Sequence, residues 1–523
     1  MLPGCAWAGT LVKVYYLTAL DALTLRHPRV ELDVYVDDIQ LAAQGTESAV
    51  VDLLAEATLD LNDVVEKEIR SKLVPAKAAV VASTAKLAKR VRAALGSLAG
   101  APVEVTEALG VDFAAGRARR EYKRSSRIRD RVLTAAKRRG RLRILSKFGG
   151  KAAKKLVTQG ATPAALYGVA VTGISNDLLL QVRRTAACAV PPYASGRSLD
   201  LTLQLAEIDP GPAAAGAPLV RWAQEIWQAT LPVPSRAIPT HELVRAWHAV
   251  QARPPKGWAQ CRGPIGAAAL SAKRLGWDVG HPWKWRTDNG IEFSLLEASP
   301  RLIEWHIRQT WSRITCCRVA DNLRSKGFDT TETIDLTSAR QVIKSNAADS
   351  LTPLQKGALR AVVCDAVWTK ERLLAAGYIV DPLCDLCRDK PDTLFHRLWE
   401  CECEAVSELR KQVLPESLIR EARRAGAGSA AFCRGLGPSI AALVPPPLDD
   451  GGVLFTRNGA MVEDRALWTL CGDVFYDGSC FQRGSNELNR ATWAAIQMDG
   501  DNKVVACVSG PVWAGLPQSA QAA

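Results

Sequence analysis

The alternation of apolar and polar residues predicts a β-hairpin near the start of the chain. In "VELDVYVDDIQLAA", residues 30–43, apolar side chains occupy every second position from Val30 to Val36, the period of a half-buried strand. A second apolar run follows at once, so Asp37 and Asp38 fall at or near the turn. Two interpretations remain open: a solvated Asp-Asp turn, or a pair of carboxylates that supplies oxygen ligands to Mg²⁺.

The rest of the pattern divides the chain into helical stretches and short strand-like runs. "AVVDLLAEATLDLNDVVEKEI", residues 49–69, has the helical period and precedes the strand-like "AKAAVVAS", residues 76–83. Residues 117–190 also have a helical pattern. "GPSIAALVPPPLDDGG", residues 437–452, has the composition of a linker, and residues 472–512 contain three strand-like runs. This pattern predicts a protein of several domains, as the length of 523 residues also indicates.

Positive charge is concentrated in one segment. Residues 117–155 contain 17 Lys and Arg and only two acidic residues, Glu121 and Asp130, whereas the whole chain has a net charge of +13. A basic block of this density favours a polyanion-binding surface, with nucleic acid as the commonest target. The alternative is a solvated basic helix.

Other features of the sequence exclude several classes of protein. No basic region precedes the first apolar run, so no secretory signal is predicted. The longest uncharged run, residues 156–176, contains Pro163 and several glycines, which favours buried core over a membrane span. Hydrolase and phosphate-loop motifs have no match. The expected location is nuclear or cytoplasmic, for a chain that is neither secreted nor membrane-bound.

The strongest spacing signal is a cluster of cysteines and a histidine. "CDLCRDKPDTLFHRLWECEC" gives Cys384-x₂-Cys387-x₈-His396-x₄-Cys401, with Cys403 as a spare thiol. Three thiolates and one imidazole satisfy tetrahedral Zn²⁺, and cysteines of a chain that is not exported are expected to be reduced. The cluster therefore predicts a structural zinc module, with a chance grouping of thiols as the alternative.

Six segments, taken in order, carry a family resemblance. "VYVDDIQL" resembles the aromatic-x-Asp-Asp box of reverse transcriptases, most like those of non-LTR retrotransposons, and "LVPAKAAVVAS" resembles the next palm motif, with Lys77 as its lysine. "EALGVDF" is similar to the primer-grip region around Gly110, and "ATPAALYGVAVTGIS" resembles the thumb segment. The Cys/Cys/His/Cys module is similar to the zinc-binding region that follows the thumb. "VFYDGSC", in which Asp477 is expected to lead into a Gly-Ser turn, resembles the first strand of a ribonuclease H domain.

The resemblance implies an RNA-directed DNA polymerase joined to a ribonuclease H. Asp37 and Asp38 would then organise Mg²⁺ in the palm, and Asp477 would bind Mg²⁺ in the ribonuclease H site. The zinc would be structural, and the partners would be RNA, DNA and RNA–DNA hybrids, whose backbones the basic helices would hold. The residues expected to bind nucleic acid are Lys77, Arg124, Arg127, Lys137, Arg138, Arg139, Arg141 and Arg143.

The chain also departs from the family pattern at both ends. Met1 stands shortly before Asp37, which leaves no room for the earlier palm strand that carries a further Asp. "GLPQSAQAA", residues 515–523, resembles the start of the helix that bears a catalytic Glu, with Pro517 in its first turn. We therefore expect a fragment that is inactive in both reactions and has a poorly stable C-terminal meander. The alternatives are a non-catalytic nucleic-acid-binding remnant and a pseudogene product without a selected function.

The predicted fold class is α+β. Nine of the 15 tryptophans lie between Trp222 and Trp311, where core packing is expected and base stacking is the alternative. Six segments are predicted in chain order: a partial, ferredoxin-like polymerase palm (1–115), a basic helical thumb (116–190), a Trp-rich helical connector (191–370), a zinc-binding module (371–405), a helix with a Pro/Gly-rich linker (406–465), and the N-terminal part of a ribonuclease H domain with its three-stranded β-meander (466–523).

Overall fold

A computed structural model of the chain confirms the mixed α+β class. The chain divides into two compact units, one of Met1–Arg127 with Ala259–Gly263 and one of Ile128–Trp258 with Pro264–Ala523. The structure describes residues 7–36, 38–114, 127–231, 238–261, 263–330, 333–347, 350–438, 452–463, 468–481, 489–513 and 515–521.

The first unit consists of helices and short strands in its described part. A π-helical turn, Val64–Glu68, continues the second helix, so the predicted helix over residues 49–69 is confirmed. The elements are α1 (Ala8–Arg26), β1 (Val30–Tyr35), β2 (Asp38–Ala43), α2 (Glu47–Asp63), β3 (Ala79–Val80), α3 (Ala85–Leu95), β4 (Ala101–Pro102), β5 (Val105–Ala108) and β6 (Val111–Ala114).

The predicted N-terminal hairpin is confirmed. β1 and β2 are antiparallel, with Tyr35 paired to Asp38. The alternation holds because the apolar side chains of both strands, among them Leu32 and Ile39, pack against a core cluster from α1 and α2, while the intervening polar residues of β1 are exposed. Asp37 lies outside the described residues.

The remaining strands of the first unit form two further small sheets. β3 pairs with β4 in parallel over only two residues each, so the strand predicted over 76–83 is much shorter than expected. β5 and β6 form a hairpin whose turn residues, Leu109 and Gly110, both have positive φ (48° and 74°), as a type I′ turn requires. The described strands thus make three separate two-stranded sheets, and the ferredoxin-like palm stays a prediction.

The second unit is mostly helical up to residue 434 and β-rich beyond it. The predicted helical character of residues 117–190 is confirmed over its described part. The helices are α4 (Arg127–Lys137), α5 (Arg139–Gly149), α6 (Lys151–Leu156), α7 (Thr162–Leu166), α8 (Val169–Thr172), α9 (Asn176–Ala187), α10 (Leu199–Ala206), α11 (Gly211–Ala229), α12 (Thr240–Gln251), α13 (Gly263–Leu275), α14 (Pro300–Ser325), α15 (Thr337–Lys344), α16 (Pro353–Val363), α17 (Lys370–Ala375), α18 (Glu404–Val413), α19 (Glu416–Ala425) and α20 (Ala430–Arg434). The strands are β7 (Lys284–Arg286), β8 (Glu292–Ser294), β9 (Ile334–Asp335), β10 (Gly437–Pro438), β11 (Leu454–Arg457), β12 (Ala460–Met461), β13 (Val474–Phe481), β14 (Arg490–Met498) and β15 (Val504–Pro511).

Tryptophans build the largest core of the second unit. Five of the nine in the Trp-rich segment are buried: Trp222, Trp247, Trp277, Trp285 and Trp311. The rings of Trp222 and Trp247 are 4.6 Å apart, and those of Trp247 and Trp285 are 6.1 Å apart and stacked. Core packing is therefore confirmed for these five, because rings enclosed in this way are closed to a nucleic-acid base.

Close helix packing holds this core against the long helix α14. Gly216 of α11 lies so near Ile307 of α14 that a Cβ atom at Gly216 would come within 2.6 Å of the isoleucine side chain. A second cluster joins α10, α14, α15, α16 and α20. No helix in the described part of the chain is long and apolar enough to cross a membrane.

The C-terminal region contains the predicted meander but extends further than expected. β13, β14 and β15 are consecutive antiparallel strands, β11 pairs with β15, and β12 pairs with β11, which gives the order β12-β11-β15-β14-β13. Strand pairing in this sheet begins at Leu454, before the domain boundary predicted at residue 466, and that boundary stays a prediction. Gly437 and Pro438, at the start of the predicted linker, pair with β9 instead; residues 439–451 lie outside the description.

Two local predictions in the C-terminal region are corrected. Gly478 and Ser479 do not turn after Asp477 but continue β13, because their backbones pair with Trp493 and Thr492 of β14. Residues 515–521 form turns, so the helix expected from residue 515 is not found over them. Gln518 accounts for part of this, because its side-chain nitrogen donates to the backbone oxygens of Val512 and Trp513, and those bonds fix a compact turn.

Candidate metal centre and nucleic-acid interface

The first two predicted zinc ligands lie on a tight turn between α17 and α18. The backbone N–H of Cys384 donates to the oxygen of Lys390, and the N–H of Arg388 donates to the oxygen of Cys384, both at 2.9 Å. Arg388 has a left-handed backbone, with φ of 54°. These bonds close a loop around Cys387 and direct it toward the same side as Cys384, as the C-x₂-C spacing predicts.

The other two ligands are joined by a π-helical turn. It spans His396–Glu400, and the N–H of Cys401 donates to the oxygen of His396 at 2.8 Å. The i→i+5 bond of a π turn places residues five apart above one another. The interval between His396 and Cys401 therefore matches the local backbone.

The four side chains form one compact group. Their ligand atoms all lie within 4.8 Å of one another, and Cys387 Sγ is 3.3 Å from His396 Nε2. Tetrahedral zinc with bonds of about 2.0–2.3 Å separates its ligand atoms by about 3.3–3.8 Å, so the donors and their spacing fit the ion. The group could hold a structural metal such as zinc. The spare thiol, Cys403, is not part of it.

The surroundings shift the pKa values of two thiols of the group in opposite directions. Backbone N–H groups of Asp389 and Lys390 donate to Cys387 and lower the pKa of its thiol. Burial raises the pKa of the Cys401 thiol. A bound cation would offset the second effect because coordination removes the thiol proton outright.

Charged side chains fix both ends of the module. Arg410 is buried, and it donates to the backbone oxygens of Leu398 (2.9 Å) and Cys401 (3.1 Å). On the other side, buried Asp392 accepts hydrogen bonds from the Arg397 side chain and from the N–H of Lys370. The bond from Arg397 holds the pKa of Asp392 below its usual value.

A carboxylate also faces the second nitrogen of the histidine. Glu400 Oε2 lies 3.9 Å from His396 Nδ1, which has no hydrogen-bond partner among the residues described. Histidines that bind a metal through one nitrogen commonly offer the other to a carboxylate. Sequence reasoning named neither Glu400 nor Arg410; the His-x₃-Glu interval was a signal for the first, and nothing local indicated the second.

The predicted palm residues have a different environment. Asp38 is the first residue of β2 and is exposed, and Lys77 is exposed at the end of a short 3₁₀ turn. Within the described ranges, the Cys/His group is the one cluster of three or more Cys, His, Asp or Glu residues that could hold a metal. Asp38 is thus not part of a carboxylate cluster among the residues described, which do not include Asp37.

Asp477 is likewise exposed, in the middle of β13. Its Oδ1 accepts from the N–H of Gly478 at 2.8 Å. β13 is an edge strand, and four of its apolar side chains are exposed: Val474, Phe475, Tyr476 and Phe481.

Exposed cations follow α4, α5 and α6. Six of them have side chains with no ion pair or hydrogen bond to any part of the chain that the structure describes: Lys137, Arg138, Arg141, Lys147, Lys151 and Lys155. Apolar side chains are also exposed on α5, and Phe148 is 88% exposed. The arrangement is a basic surface with one projecting aromatic ring, and we call these six cations the basic surface.

The other predicted nucleic-acid-binding arginines bond to the protein. Arg139 donates to Thr185 Oγ1 (2.9 Å) and to the backbone oxygen of Gln181 (2.6 Å), and burial lowers its pKa. Arg143 donates to the oxygen of Tyr193 at 2.6 Å. Arg127 pairs with Glu107. These bonds support the fold; Arg124 lies outside the described residues.

Comparison with known proteins adds no family assignment. No protein-family model matches the chain, and neither a curated protein nor a solved structure gives a significant match. The resemblance to reverse transcriptases accordingly rests on the six quoted motifs alone.

Proposed function

We propose that this protein binds RNA and DNA by their phosphate backbones and is related to the reverse transcriptases of non-LTR retrotransposons. The observation that carries the proposal is the basic surface, whose six cations have no protein partner among the described residues. Cations that are neither paired nor buried can bind phosphates while every internal bond of the protein stays intact. Such binding fixes a nucleic acid in position and does not read its sequence. A role of this kind corresponds to a nuclear or cytoplasmic location.

Counterion release makes this proposal testable. Each phosphate that a cation neutralises steepens the dependence of log affinity on log salt by about 0.9 for B-form DNA. Lys137, Arg138, Arg141 and Lys147 are suitable for charge reversal to Glu, because none of them supports the fold through a bond to a described residue. Arg139 is unsuitable, since its reversal would remove the bonds to Thr185 and Gln181.

The experiment measures fluorescence anisotropy of labelled RNA, DNA and hybrid duplexes over a range of KCl concentrations. We expect the quadruple Glu variant to lose most of its affinity and to have a salt slope shallower by roughly one for each phosphate that is no longer neutralised. The matched control reverses four exposed cations elsewhere: Lys273, Lys284, Arg420 and Arg424. Equal decreases of affinity in both variants would show that net charge alone governs binding and would contradict the proposed surface.

We also propose that the Cys/His group binds one Zn²⁺ per chain and that the ion is structural. Four protein ligands complete a tetrahedral shell, and a complete shell leaves no position for a substrate. The supporting bonds of Arg410 and Asp392 reach other helices, so the ion would stabilise more than the loop that holds it.

RNA-templated polymerisation is a second candidate, which the N-terminal hairpin favours by placing Asp38 beside its turn. In the resembling family the Asp pair would bind Mg²⁺ and activate the primer hydroxyl. A primer-extension assay separates the candidates. Incorporation that is lost in Asp38→Ala would establish a polymerase, whereas salt-dependent binding without incorporation would leave a binding protein, the non-catalytic alternative.

A further inference from the structure

A cavity of about 400 Å³ in the second unit lies apart from the basic surface and the Cys/His group. Its wall combines the start of α10, the C-terminal half of α14, the end of α16 and the end of α20. Arg318 and Asn322 lie on one face of α14, four residues apart, and Lys326 follows as the residue that caps the helix. The volume is in the range of small-molecule sites, about 300–1,000 Å³.

Positive charge in this cavity is only partly neutralised. Four cations line it, Arg197, Arg318, Lys326 and Arg434, against two carboxylates. Both carboxylates are shared. Asp365 accepts from Lys326 (2.9 Å), from Arg372 (3.1 Å) and from Arg434, and Asp200 accepts from Arg318 and from buried Arg183.

Two of the arginines have donors that no carboxylate satisfies. Arg197 is bonded to the backbone oxygens of Val190 and Ala187 and to that of Pro192, but to no carboxylate among the described residues. The Nε of Arg434 is buried and has no hydrogen-bond acceptor in the described part of the chain. The wall keeps an excess of positive charge, four cations against two carboxylates, and this excess favours an anionic ligand. Arginine forks suit the oxygens of a phosphate group.

The remaining wall is apolar. Leu201, Val319, Leu323 and Val363 line the same cavity. A site that joins a cationic end to an apolar wall suits an organic molecule that carries a phosphate group. We propose that this cavity binds a phosphate group, either as free phosphate or as the phosphate of a small organic monoester.

The test is titration calorimetry of the full chain with inorganic phosphate and, separately, with adenosine 5′-monophosphate, in chloride at constant ionic strength. We expect saturable binding at one site. The double variant Arg318→Ala/Lys326→Ala should lower affinity by at least about tenfold, since each side chain supplies a charged hydrogen bond. Tighter binding of the nucleotide would identify an organic monoester as the ligand, and equal binding would identify the phosphate group alone.

Two further variants test whether the cavity itself is the binding site. Arg301→Ala/Arg308→Ala removes two exposed cations of the same helix that do not line the cavity, and it should leave the affinity unchanged. Asn322→Asp adds a negative charge to the wall at nearly constant size and should weaken binding. Absence of saturable binding at millimolar phosphate, or equal affinity in the wild type and the double variant, would overturn the proposal. So would loss of phosphate binding on charge reversal of the basic surface, which would assign the phosphate to that surface.

Discussion

The Cys/His group and the carboxylates Asp38 and Asp477 differ in their surroundings and in their exposure to solvent. In the Cys/His group, four ligands from one short segment meet within 4.8 Å, and buried charged side chains hold the backbone behind them. Asp38 and Asp477 each stand exposed on a strand, in separate units of the chain. Both kinds of site were predicted from spacing or resemblance, and within the described ranges the ligands of the first lie together.

Chain distance explains this difference. Two turns of the backbone suffice to gather ligands that lie a few residues apart, and local hydrogen bonds specify both turns. A two-metal carboxylate site draws its ligands from several strands, so its geometry depends on the whole sheet. Substitutions of buried polar residues can therefore be compared with substitutions of exposed ones. The comparison tests which residues contribute to the stability of the fold.

Metal removal should have the largest effect. Structural zinc in small modules contributes apparent free energies of about 10–16 kcal/mol, and the ion would hold Cys401 against the bonds from Arg410. We expect mass spectrometry under native conditions to find one zinc per chain, and we expect Cys401→Ser or a chelator to unfold residues 371–434, as measured by hydrogen exchange.

The neighbouring thiol supplies a matched control. Cys403 is outside the group, so Cys403→Ser should retain zinc and normal exchange protection. Protein purified without chelator that contains no zinc would contradict the metal centre. Zinc retained in Cys401→Ser but lost in Cys403→Ser would instead make Cys403 the fourth ligand.

The alternation of apolar and polar residues predicted the elements that form between neighbouring segments of the chain. The hairpin of β1 and β2 followed from alternation because its apolar face packs on α1 and α2, and the meander followed in the same way. The turn after Asp477 was predicted from Gly-Ser propensity, but pairing with β14 overrides propensity there. The addition of β11 to β15 joins residues some fifty positions apart, and no periodicity within either segment indicates it.

A buried ion pair is a second feature that sequence patterns did not indicate, because its residues lie far apart in the chain. Arg183 is 3% exposed and donates to Asp209 (2.7 Å) and Asp200 (2.6 Å). Trp311 Nε1 also donates to Asp209. Burial opposes the charge of Arg183, but its two carboxylate partners outweigh burial and raise its pKa. Sequence reasoning assigned these residues no role, because Arg183 lies in α9 and its partners come from α10 and the loop after it, with Trp311 in α14.

Breaking this buried pair should have the second largest effect. Asp209→Ala would leave Arg183 with one carboxylate and Trp311 without an acceptor. Because buried donors of Arg183 and Trp311 lose their acceptor, we expect the free energy of unfolding in urea to fall by about 3–5 kcal/mol. Asp321→Ala on α14, whose carboxylate is 66% exposed, is the control and should change it by less than about 0.5 kcal/mol. A decrease below about 1 kcal/mol for Asp209→Ala would show that the pair is not critical.

The two buried histidines, His396 and His306, have different surroundings. His396 has thiols around it, whereas His306 stacks on Phe293 at 5.3 Å and touches Trp305. Burial lowers the pKa of His306 to about 4. The unfolded chain, with a pKa of about 6.5, binds a proton that the folded chain does not. Stability should therefore fall as the pH drops from about 6.5 to 4, by up to about 3 kcal/mol.

The variant His306→Phe isolates this contribution from acid-induced loss of metal. Wild type and variant share the Cys/His group, so the difference between their unfolding free energies at pH 7 and pH 4.5 reports His306 alone. We expect a smaller pH dependence in the variant. The control is His241→Gln, because His241 is 79% exposed and should leave the dependence unchanged. Identical pH dependence in wild type and His306→Phe would contradict a neutral, buried His306.

The exposed carboxylates should give the smallest effects. Neither Asp38 nor Asp477 forms an ion pair within the described ranges, so Asp38→Asn and Asp477→Asn should each change the free energy of unfolding by no more than about 0.5 kcal/mol. Neither belongs to a cluster of metal ligands among the described residues, so we expect neither variant to alter Mg²⁺ binding measured by calorimetry. Cleavage of an RNA–DNA hybrid that needs Mg²⁺ and is lost in Asp477→Asn would reverse this conclusion. It would mean that further carboxylates join Asp477 when the hybrid binds, and that the exposed edge of β13 is part of an active site.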